Sequence, residues 1–451
     1  MWSKTQDLTK GPVLPGIIKY TIPIIITSVL QLLFNACDLV VVGNYCGEVS
    51  VAAVGATGSL TNLFVNFFIG FSVGAGVTVA HGLGSQDDEE VHQAVHTSVL
   101  LSVVFGTLLT VAGFLCCETF LRWMGTPENV LPLSAVYMKI YFSGSIFVML
   151  YNFVASIIRA DGDTKSPLFF LMISGCVNVV LNVIFVTVFH MDVAGVALAT
   201  LISQVLSAVL VVIALIKRKD SCRLYISNLK IYKEQLFEII RVGLPAGIQS
   251  TVFAMSNVII QSSVNSFGDM FMSGAAAAGS IDGFVYGAMN AFQQTSVNYV
   301  AQNTGARNPI RVKKVFWLCL ACVSAVGILL GLSVYSGGPW LLSIYIKDSP
   351  QAISSGVIRM TYVALPYFLC GIMEVITGAI RGMGSSLPPM IISVIGVCGI
   401  RMVWLFTVFK MFHNPHVLYA SYPVSWIITG VLLLVVFFKI YKLNFSNELN
   451  A

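Results

Sequence analysis

Long apolar segments separated by short polar ones run through almost the whole chain. Each segment is long enough to cross a hydrocarbon layer of about 30 Å as a helix that rises about 1.5 Å per residue. The pattern therefore predicts twelve transmembrane helices. They cover approximately residues 17–43, 51–80, 91–117, 132–158, 167–190, 193–216, 236–265, 274–301, 312–336, 352–380, 388–412 and 416–441.

The composition agrees with this pattern and excludes other classes of protein. The chain has 451 residues, of which 57% are hydrophobic and 10% charged, with a mean hydropathy of +0.85. A soluble protein has about 25% charged residues, so soluble enzymes, disulfide-rich secreted domains and disordered chains are excluded. The sequence contains no common catalytic, metal-ligand or nucleotide-binding motif. We expect an all-α integral membrane protein that is not an enzyme and needs no bound cofactor.

A basic polar segment in the middle of the chain divides the spans into two sets of six. The predicted domains are an amino-terminal lobe over 1–216, a linker over 217–235 and a carboxy-terminal lobe over 236–451. A shift of 222 residues superimposes identical residues of the two sets: Pro23 on Pro245, Arg159 on Arg381, Gly162 on Gly384, Pro167 on Pro389 and Cys176 on Cys398. Six is an even number, so both lobes have the same orientation and form a parallel repeat with a cleft between them.

The distribution of lysine and arginine predicts the orientation in the membrane. Basic residues concentrate in the linker and in the loops 159–166, 302–311 and 381–387. Because cytoplasmic loops carry an excess of lysine and arginine, we expect the linker and both termini to be cytoplasmic. The small net charge of +5 lies mostly in these loops, so it gives no reason to expect a nucleic-acid partner.

Four polar residues of the first span lie on one face of the predicted helix. Ser28, Gln31, Asn35 and Asp38 follow each other at steps of three, four and three. An acid in mid-span costs about 2.5–3.5 kcal/mol, so this face should meet a protein interior or an aqueous cavity rather than lipid. The carboxyl of Asp38 can bind a coupling proton, or a sodium ion as a metal ligand. The alternative is a structural hydrogen bond between helices.

Further oxygen ligands occur in the fifth and sixth spans. Asn178 and Asn182 are one helical turn apart, and Thr200 follows in the next span. Together with Asp38 they could hold a proton network or a hard cation such as sodium. Small polar side chains also join membrane helices without binding any ion, and this alternative stays open.

The second half differs from the first in its polar residues. Ile260 stands at the position that corresponds to Asp38, whereas Asp282 and Glu374 are acids of the eighth and tenth spans. Arg401 in the eleventh span is a potential ion-pair partner for one of these acids. Acids, rather than lysine or arginine, are expected near the midplane. The residues predicted to bind substrate are Gln31, Asn35, Asn152, Phe253, Asp282 and Glu374.

Several local motifs resemble those of one transporter family. They are F-N-A-C-D-L-V-V-V-G at 34–43, I-I-R-A-D-G-D-T-K-S-P at 157–167, V-A-G-V-A-L-A-T at 193–200 and V-A-Q-N-T-G-A-R at 300–307. These motifs, with the twelve spans, resemble the multidrug and toxic compound extrusion (MATE) transporters of bacteria. The resemblance implies two six-helix lobes in a V shape that open alternately to either side. It also implies export of cationic, amphipathic compounds in exchange for protons or sodium.

The resemblance assigns roles to individual residues. Asp38 occupies the position of the family's first-span coupling acid, and Asn178, Asn182 and Thr200 match its amino-lobe ion network. Some members carry an acid at the position of Asn182. One sodium-coupled branch has acids at positions that align with Phe253 and Cys370; Glu374, one turn further on, could substitute for the second.

The function predicted from these features is an ion-coupled antiporter in the plasma membrane. Its expected partners are small, cationic organic substrates and membrane lipids, and we expect it to act as a monomer. The alternative is a flippase for a lipid-linked precursor or polysaccharide, which would need a strongly cationic cleft for a pyrophosphate head group. A receptor or channel is a third class, which the repeat does not specially support.

Overall fold

The computed structural model describes residues 6–346 and 349–450, and these residues form helices and connecting turns without any β-strand. The predicted cytoplasmic termini at residues 1–5 and 451 lie outside this range. The helices of the first half are α1 (Val13–Tyr45), α2 (Glu48–Ser85), α3 (Asp88–Trp123), α4 (Leu131–Ser143), α5 (Ser145–Ala160), α6 (Lys165–Thr187) and α7 (Asp192–Ile216).

The linker contains one short 3₁₀ turn, Ile226–Asn228, and the second half then begins at α8. Its helices are α8 (Lys233–Asn265), α9 (Asp269–Gly305), α10 (Pro309–Ser336), α11 (Gly338–Tyr345), α12 (Pro350–Tyr362), α13 (Tyr367–Gly382), α14 (Leu387–Ser393), α15 (Ile400–Trp404), α16 (Pro415–Asn444) and α17 (Ser446–Asn450). Two π-helical segments, Val394–Gly399 and Leu405–Phe409, connect α14, α15 and the end of that span.

The all-helical membrane fold expected from the sequence is confirmed. Nine helices of the described chain are long and apolar enough to span a membrane, and the number reaches eleven when two bent helix pairs each form one span. Helix α9 has 37 residues and corresponds to the remaining predicted span. Asp282 and a series of Asn and Gln residues between 290 and 303 make it more polar than the others.

The two bent spans occupy equivalent positions in the two halves. Helices α4 and α5 meet at 45° around Gly144, and α12 and α13 meet at 44° around residues 363–366. The shift of 222 residues that superimposes the halves places Gly144 on Pro366. Proline has no N–H group for a helical hydrogen bond, and glycine weakens a helix, so both residues favour a break.

The helices pack into two compact units. Unit 1 comprises Met1–Gln6 and Val29–Gly247, and unit 2 comprises Asp7–Ser28 and Ile248–Ala451. Helix α1 therefore contributes its first half to unit 2 and its second half, with Asp38, to unit 1. The lobe boundaries inferred from the sequence, at 216 and 236, stay a prediction.

Unit 1 is built from close contacts between helices that carry small residues. A Cβ atom on Gly106 would lie 2.4 Å from the backbone of Ile146, and one on Gly74 would lie 2.2 Å from the carbonyl oxygen of Ile239. In membrane helices small residues allow backbones to approach this closely. The linker folds back onto α3, where the ring of His96 accepts a hydrogen bond from the backbone of Tyr225 at 3.0 Å.

Unit 2 has a large aromatic core and holds the start of the chain. The rings of Phe316 and Phe437 stack at 3.8 Å. The guanidinium of Arg311 donates hydrogen bonds to the backbone carbonyls of Leu8, Lys10 and Gly11. These bonds fix the segment before α1 to the beginning of α10.

Candidate functional site

Four side chains predicted to bind the coupling ion lie together in unit 1. The Asn182 side-chain amide donates to Asp38 Oδ1 at 2.5 Å and to Asn178 Oδ1 at 3.2 Å. The Asn178 amide donates in turn to Thr200 Oγ1 at 3.3 Å. The helical spacing of Asn178 and Asn182 places both on the face of α6 that meets α1 and α7. The role of this network in ion binding stays a prediction.

The Asp38 carboxyl group has neutral partners only. Within the part of the chain that the structure describes, no lysine or arginine forms an ion pair with it. The Asn182 side chain is fully buried, and its Oδ1 atom has no hydrogen-bond partner among the described residues. The network thus contains one ionisable group and one buried oxygen that is available to accept a further hydrogen bond.

Two tyrosines that sequence reasoning did not identify lie beside this network. Tyr137 and Tyr141 of α4 are close enough to Asp38 to interact with it electrostatically, and their rings stack at 6.2 Å. Their spacing of four residues puts both on one face of α4. That spacing was visible in the sequence, but nothing in it indicated that this face meets α1.

The other polar residues predicted in the first half lie outside the network. Gln31 and Asn35 are exposed on α1, and in the described chain neither side chain makes a hydrogen bond. Asn152 is half-buried on α5, where its amide donates to the carbonyl of Val148 at 2.8 Å. Their predicted contact with substrate stays a prediction.

Glu374 lies in a second polar network, which α9 and α13 form in unit 2. The Gln293 amide donates to Glu374 Oε2, and the Asn290 amide donates to Gln293 Oε1 at 3.3 Å. Gln294 donates to Asn290 Oδ1 at 2.8 Å. The Glu374 side chain is 4% exposed. Because water has little access to its carboxylate, the amide network provides its polar contacts instead.

The arginine that interacts electrostatically with Glu374 is Arg381, not Arg401. Arg381 lies two helical turns further along α13, acts on Glu374 without an ion pair, and donates to Gln249 Oε1 at 2.8 Å. Its Nε atom is buried and has no hydrogen-bond partner among the described residues.

The prediction of Arg401 as an ion-pair partner is wrong. Its guanidinium lies 4.0 Å above the ring of Tyr422 and donates to Ser425 Oγ at 3.0 Å. Both partners belong to α16, against which α15 packs. The π-helical segments on either side of α15 change the helical phase, so the direction of Arg401 could not be read from regular spacing.

Asp282 forms an ion pair that the sequence did not indicate. Its Oδ2 atom accepts a hydrogen bond from Arg359 Nε at 2.9 Å. The side chain of Asp282 is 4% exposed and that of Arg359 is 18% exposed. Arg359 of α12 therefore compensates the charge of Asp282, while the expectation of acids near the midplane stays a prediction.

Phe253 is half-buried and packs against the main hydrophobic core of unit 2. Two tyrosines lie between the Glu374 network and the Asp282 pair: Tyr286 interacts electrostatically with Glu374, Tyr367 interacts with Asp282, and the centroids of the two rings are 6.5 Å apart. The contact of Phe253, Asp282 and Glu374 with a substrate stays a prediction.

Outside the spans, the loop between α5 and α6 contains a buried ion pair. Arg218 of the linker donates to Asp161 Oδ2 at 2.5 Å. Burial raises the pKa of the Asp161 carboxyl to about 6, although Arg218 acts in the opposite direction.

The next two residues of this loop shape its backbone. Gly162 has a φ of +89°, and a Cβ atom there would lie 2.1 Å from the Gln6 carbonyl oxygen. Asp163 Oδ1 accepts hydrogen bonds from the first backbone N–H groups of α6.

Comparison with known families gives two matches within this chain. The MatE family model matches residues 23–184 and 245–407. The two matches begin at Pro23 and Pro245, the residues that the shift of 222 superimposes. A family model thus finds the same internal repeat that the sequence indicates.

Similar proteins extend over nearly the whole chain. The probable multidrug resistance protein YpnP of Bacillus subtilis (strain 168) is 29% identical over 400 residues, which cover 88% of this chain and 89% of that protein. The probable multidrug resistance protein YoeA of the same strain is 26% identical over 442 residues, 95% of this chain and 94% of that protein.

Solved structures show the same fold at low sequence identity. A crystal structure of MATE in complex with MaL6 has a TM-score of 0.92 at 18% identity and covers 99% of this chain and 100% of that chain. An outward-facing multidrug resistance MATE family transporter has a TM-score of 0.91 at 18% identity, with the same coverage.

Proposed function

This chain belongs to the MatE family of MATE transporters, and we propose that it is an ion-coupled antiporter that exports cationic, amphipathic compounds by alternating access. The relatives YpnP and YoeA are named as probable multidrug resistance proteins, which supports multidrug efflux of small organic molecules. The chain is a multi-pass membrane protein; we further propose that both termini are cytoplasmic and that it acts as a monomer surrounded by membrane lipids.

The observation that carries the proposal is the environment of Asp38. This acid is the one ionisable member of a network whose other members are Asn178, Asn182 and Thr200. A charge that no nearby cation neutralises is costly within a membrane. Binding an ion to Asp38 removes this cost, so the occupancy of the network depends on the electrochemical potential of the ion on the side to which the network is open.

The orientation of Asn182 favours a proton over sodium as the coupling ion. Its amide N–H groups, not its carbonyl oxygen, point towards Asp38 and Asn178. A sodium ion needs oxygen ligands in place of water. Sodium binding would require the Asn182 side chain to turn, whereas a proton on Asp38 requires no such rearrangement.

We assign cation selectivity to Glu374 rather than to Asp282. Glu374 accepts a hydrogen bond from a neutral amide, whereas Arg359 already pairs with Asp282. An acid without an ion-pair partner attracts an organic cation more strongly at low dielectric than in water. A cationic substrate that reaches the Glu374 network would thus gain more than a neutral substrate of the same shape.

The test is efflux of a fluorescent organic cation from proteoliposomes under separately imposed proton and sodium gradients. Asp38→Asn should abolish gradient-driven efflux, because the amide keeps the shape but cannot bind the proton. Thermal unfolding should show that the variant remains folded.

Asp192→Asn is the matched control, since Asp192 is an acid of the same unit that accepts a hydrogen bond from Ser50 at 2.8 Å, apart from the Asp38 network. It should keep gradient-driven efflux. Normal coupled efflux by a well-folded Asp38→Asn protein would refute the proposal.

One observation favours the alternative of a lipid-precursor flippase. Arg381 is buried without an ion-pair partner in the described residues, and a group of this kind suits an anionic head group. In that case Arg381→Gln would abolish transfer of an anionic lipid precursor in proteoliposomes, and organic cations would not be exported at all.

A further inference from the structure

A cavity at the ends of two helices has no role in the networks described above. It lies in unit 1, where α3 and α8 begin, and has a volume of about 750 Å³. This volume lies within the range of about 300–1,000 Å³ that is common for small-molecule pockets, and the cavity is largely open to solvent. Its lining residues are Asp87, Glu89, Glu90, Gln93, Lys233, Glu234, Gln235, Phe237 and Glu238.

The negative charges that line the cavity outnumber the positive charges around it. Of the five acids that line it, Asp87 caps α3 and Glu238 pairs with Arg241 at 3.4 Å. The two helix N-termini add about half a positive charge each. After Lys233, Arg241 and both helix ends are counted, an excess of about two negative charges remains.

Two further side chains point to an organic ligand. Gln235 is 7% exposed, lines the cavity, and its side chain makes no hydrogen bond in the described part of the chain. A ligand in the cavity can hydrogen-bond to this amide in place of water. Phe237 also lines the cavity and is 65% exposed, so its ring can contact a flat or cationic group.

The arrangement does not suit a metal ion. Among the described residues, no group of three or more His, Cys, Asp or Glu side chains is placed to hold a metal. Calcium, for example, needs six to eight oxygen ligands at about 2.3–2.6 Å. Carboxylates that surround a larger space instead attract a bulky cation whose charge is spread over several atoms.

We propose that this cavity is a second binding site for amphipathic organic cations, distinct from the Asp38 and Glu374 networks. The carboxylates supply the electrostatic attraction, Phe237 packs against the apolar part of the ligand, and Gln235 accepts or donates a hydrogen bond. The ligand class rests on the proposed export of organic cations, but binding at this site does not require transport.

The test measures equilibrium binding of tetraphenylphosphonium to the full-length protein in detergent, by calorimetry. The double variant Glu89→Gln/Glu234→Gln removes one exposed acid from each helix. Because each carboxylate contributes modestly near water, we expect binding at this site to weaken about tenfold. Phe237→Leu should also weaken binding, since it removes the aromatic face but keeps an apolar side chain.

The matched control is Asp88→Asn/Asp269→Asn, which removes two exposed acids from helix beginnings that do not line the cavity. It should bind tetraphenylphosphonium as the wild-type protein does. Equal binding by the cavity variant and the wild type would overturn the proposal. Equal weakening by the control would also overturn it, because the effect would then be one of general surface charge.

Efflux of tetraphenylphosphonium, measured in parallel, separates this proposal from the proposed function. If the wild type binds the cation in a manner that depends on Glu89 and Glu234 but exports none, only the proposed function fails. If the wild type exports the cation while the cavity variant binds it unchanged, only the second site fails.

Discussion

The polar network around Asp38 and the polar residues of unit 2 differ in how their acids are compensated. Asp38 has amide and hydroxyl partners only, whereas Asp282 pairs with Arg359 and Glu374 lies within the electrostatic reach of Arg381. A network with one uncompensated acid can change its charge by binding a single ion. Arg359 already compensates Asp282, whereas Glu374 has no ion-pair partner among the described residues and can still attract a cation.

The internal repeat makes this difference informative. The shift of 222 residues places Ile260 at the position of Asp38 and Glu374 at the position of Asn152. The two halves thus share the order of their helices, including the bent spans, but carry their acids at different positions. The repeat supplies the scaffold, and substitutions at individual positions decide where each half carries its acids.

The largest effect on stability should come from breaking the Asp282 pair. Arg359→Gln leaves a buried acid without its partner and should lower the free energy of unfolding by about 3–5 kcal/mol. Arg401→Gln, which removes a cation–π contact with Tyr422, should cost about 0.5–2 kcal/mol. Asp38→Asn should cost less than Arg359→Gln, because no cation depends on Asp38.

These stabilities can be measured by thermal or denaturant unfolding in detergent. The double variant Asp282→Asn/Arg359→Gln should regain part of the loss, since neither charge is then left unpaired. If all the single variants were equally stable, the contrast between compensated and uncompensated acids would be wrong.

Glu374→Gln tests whether the two acids of unit 2 differ in substrate binding. We expect binding of a monovalent organic cation to weaken about tenfold, and binding of a neutral analogue of the same shape to change little. Asp282→Asn should not discriminate between the two ligands, because Arg359 compensates that acid. Calorimetry with a matched cationic and neutral pair measures both variants. Equal losses for both ligands in Glu374→Gln would indicate a structural role instead.

Smaller effects should follow from changes to the amides around Asp38. Asn182→Ala removes the side chain that donates a hydrogen bond to Asp38. Asn178→Ala removes a side chain that is connected to Asp38 only through Asn182. Each loss should shift the free energy of ion binding by about 0.5–1.5 kcal/mol, with the larger shift for Asn182→Ala. Efflux rates measured over a range of ion concentrations would show the shift while coupling persists. Complete loss of coupling in Asn178→Ala would give that residue a more direct role.

A further predicted effect concerns pH and the loop outside the spans. The native pKa of Asp161, about 6, lies above its ordinary value of about 3.9, so the folded protein favours the protonated form. This stabilisation is fully present below the ordinary value and is lost as the pH rises through about 6. Asp161→Asn does not titrate, so its melting temperature should rise relative to that of the wild type as the pH increases from about 4 to about 6, and the difference should stay constant at higher pH. A difference independent of pH would contradict the assignment.

Much of the architecture follows from the sequence because it depends on local properties. Segment length and hydropathy predict which helices span a membrane, and identical residues at a constant shift reveal the repeat. The steps of three and four residues from Ser28 to Asp38, and the single turn between Asn178 and Asn182, define helix faces without any tertiary information. For these reasons the four members of the Asp38 network could be named together.

The contacts between distant helices were decided by the tertiary structure. Asp282 could pair with any arginine of a neighbouring span, and the rotation of α12 selects Arg359. The π-helical segments around α15 turn Arg401 towards Tyr422, and the packing of α4 brings Tyr137 beside Asp38. Hydropathy predicts that a helix crosses the membrane, but it contains no term for the rotation of that helix about its axis. That rotation determines which charges are compensated, and it is fixed only when all the helices pack together.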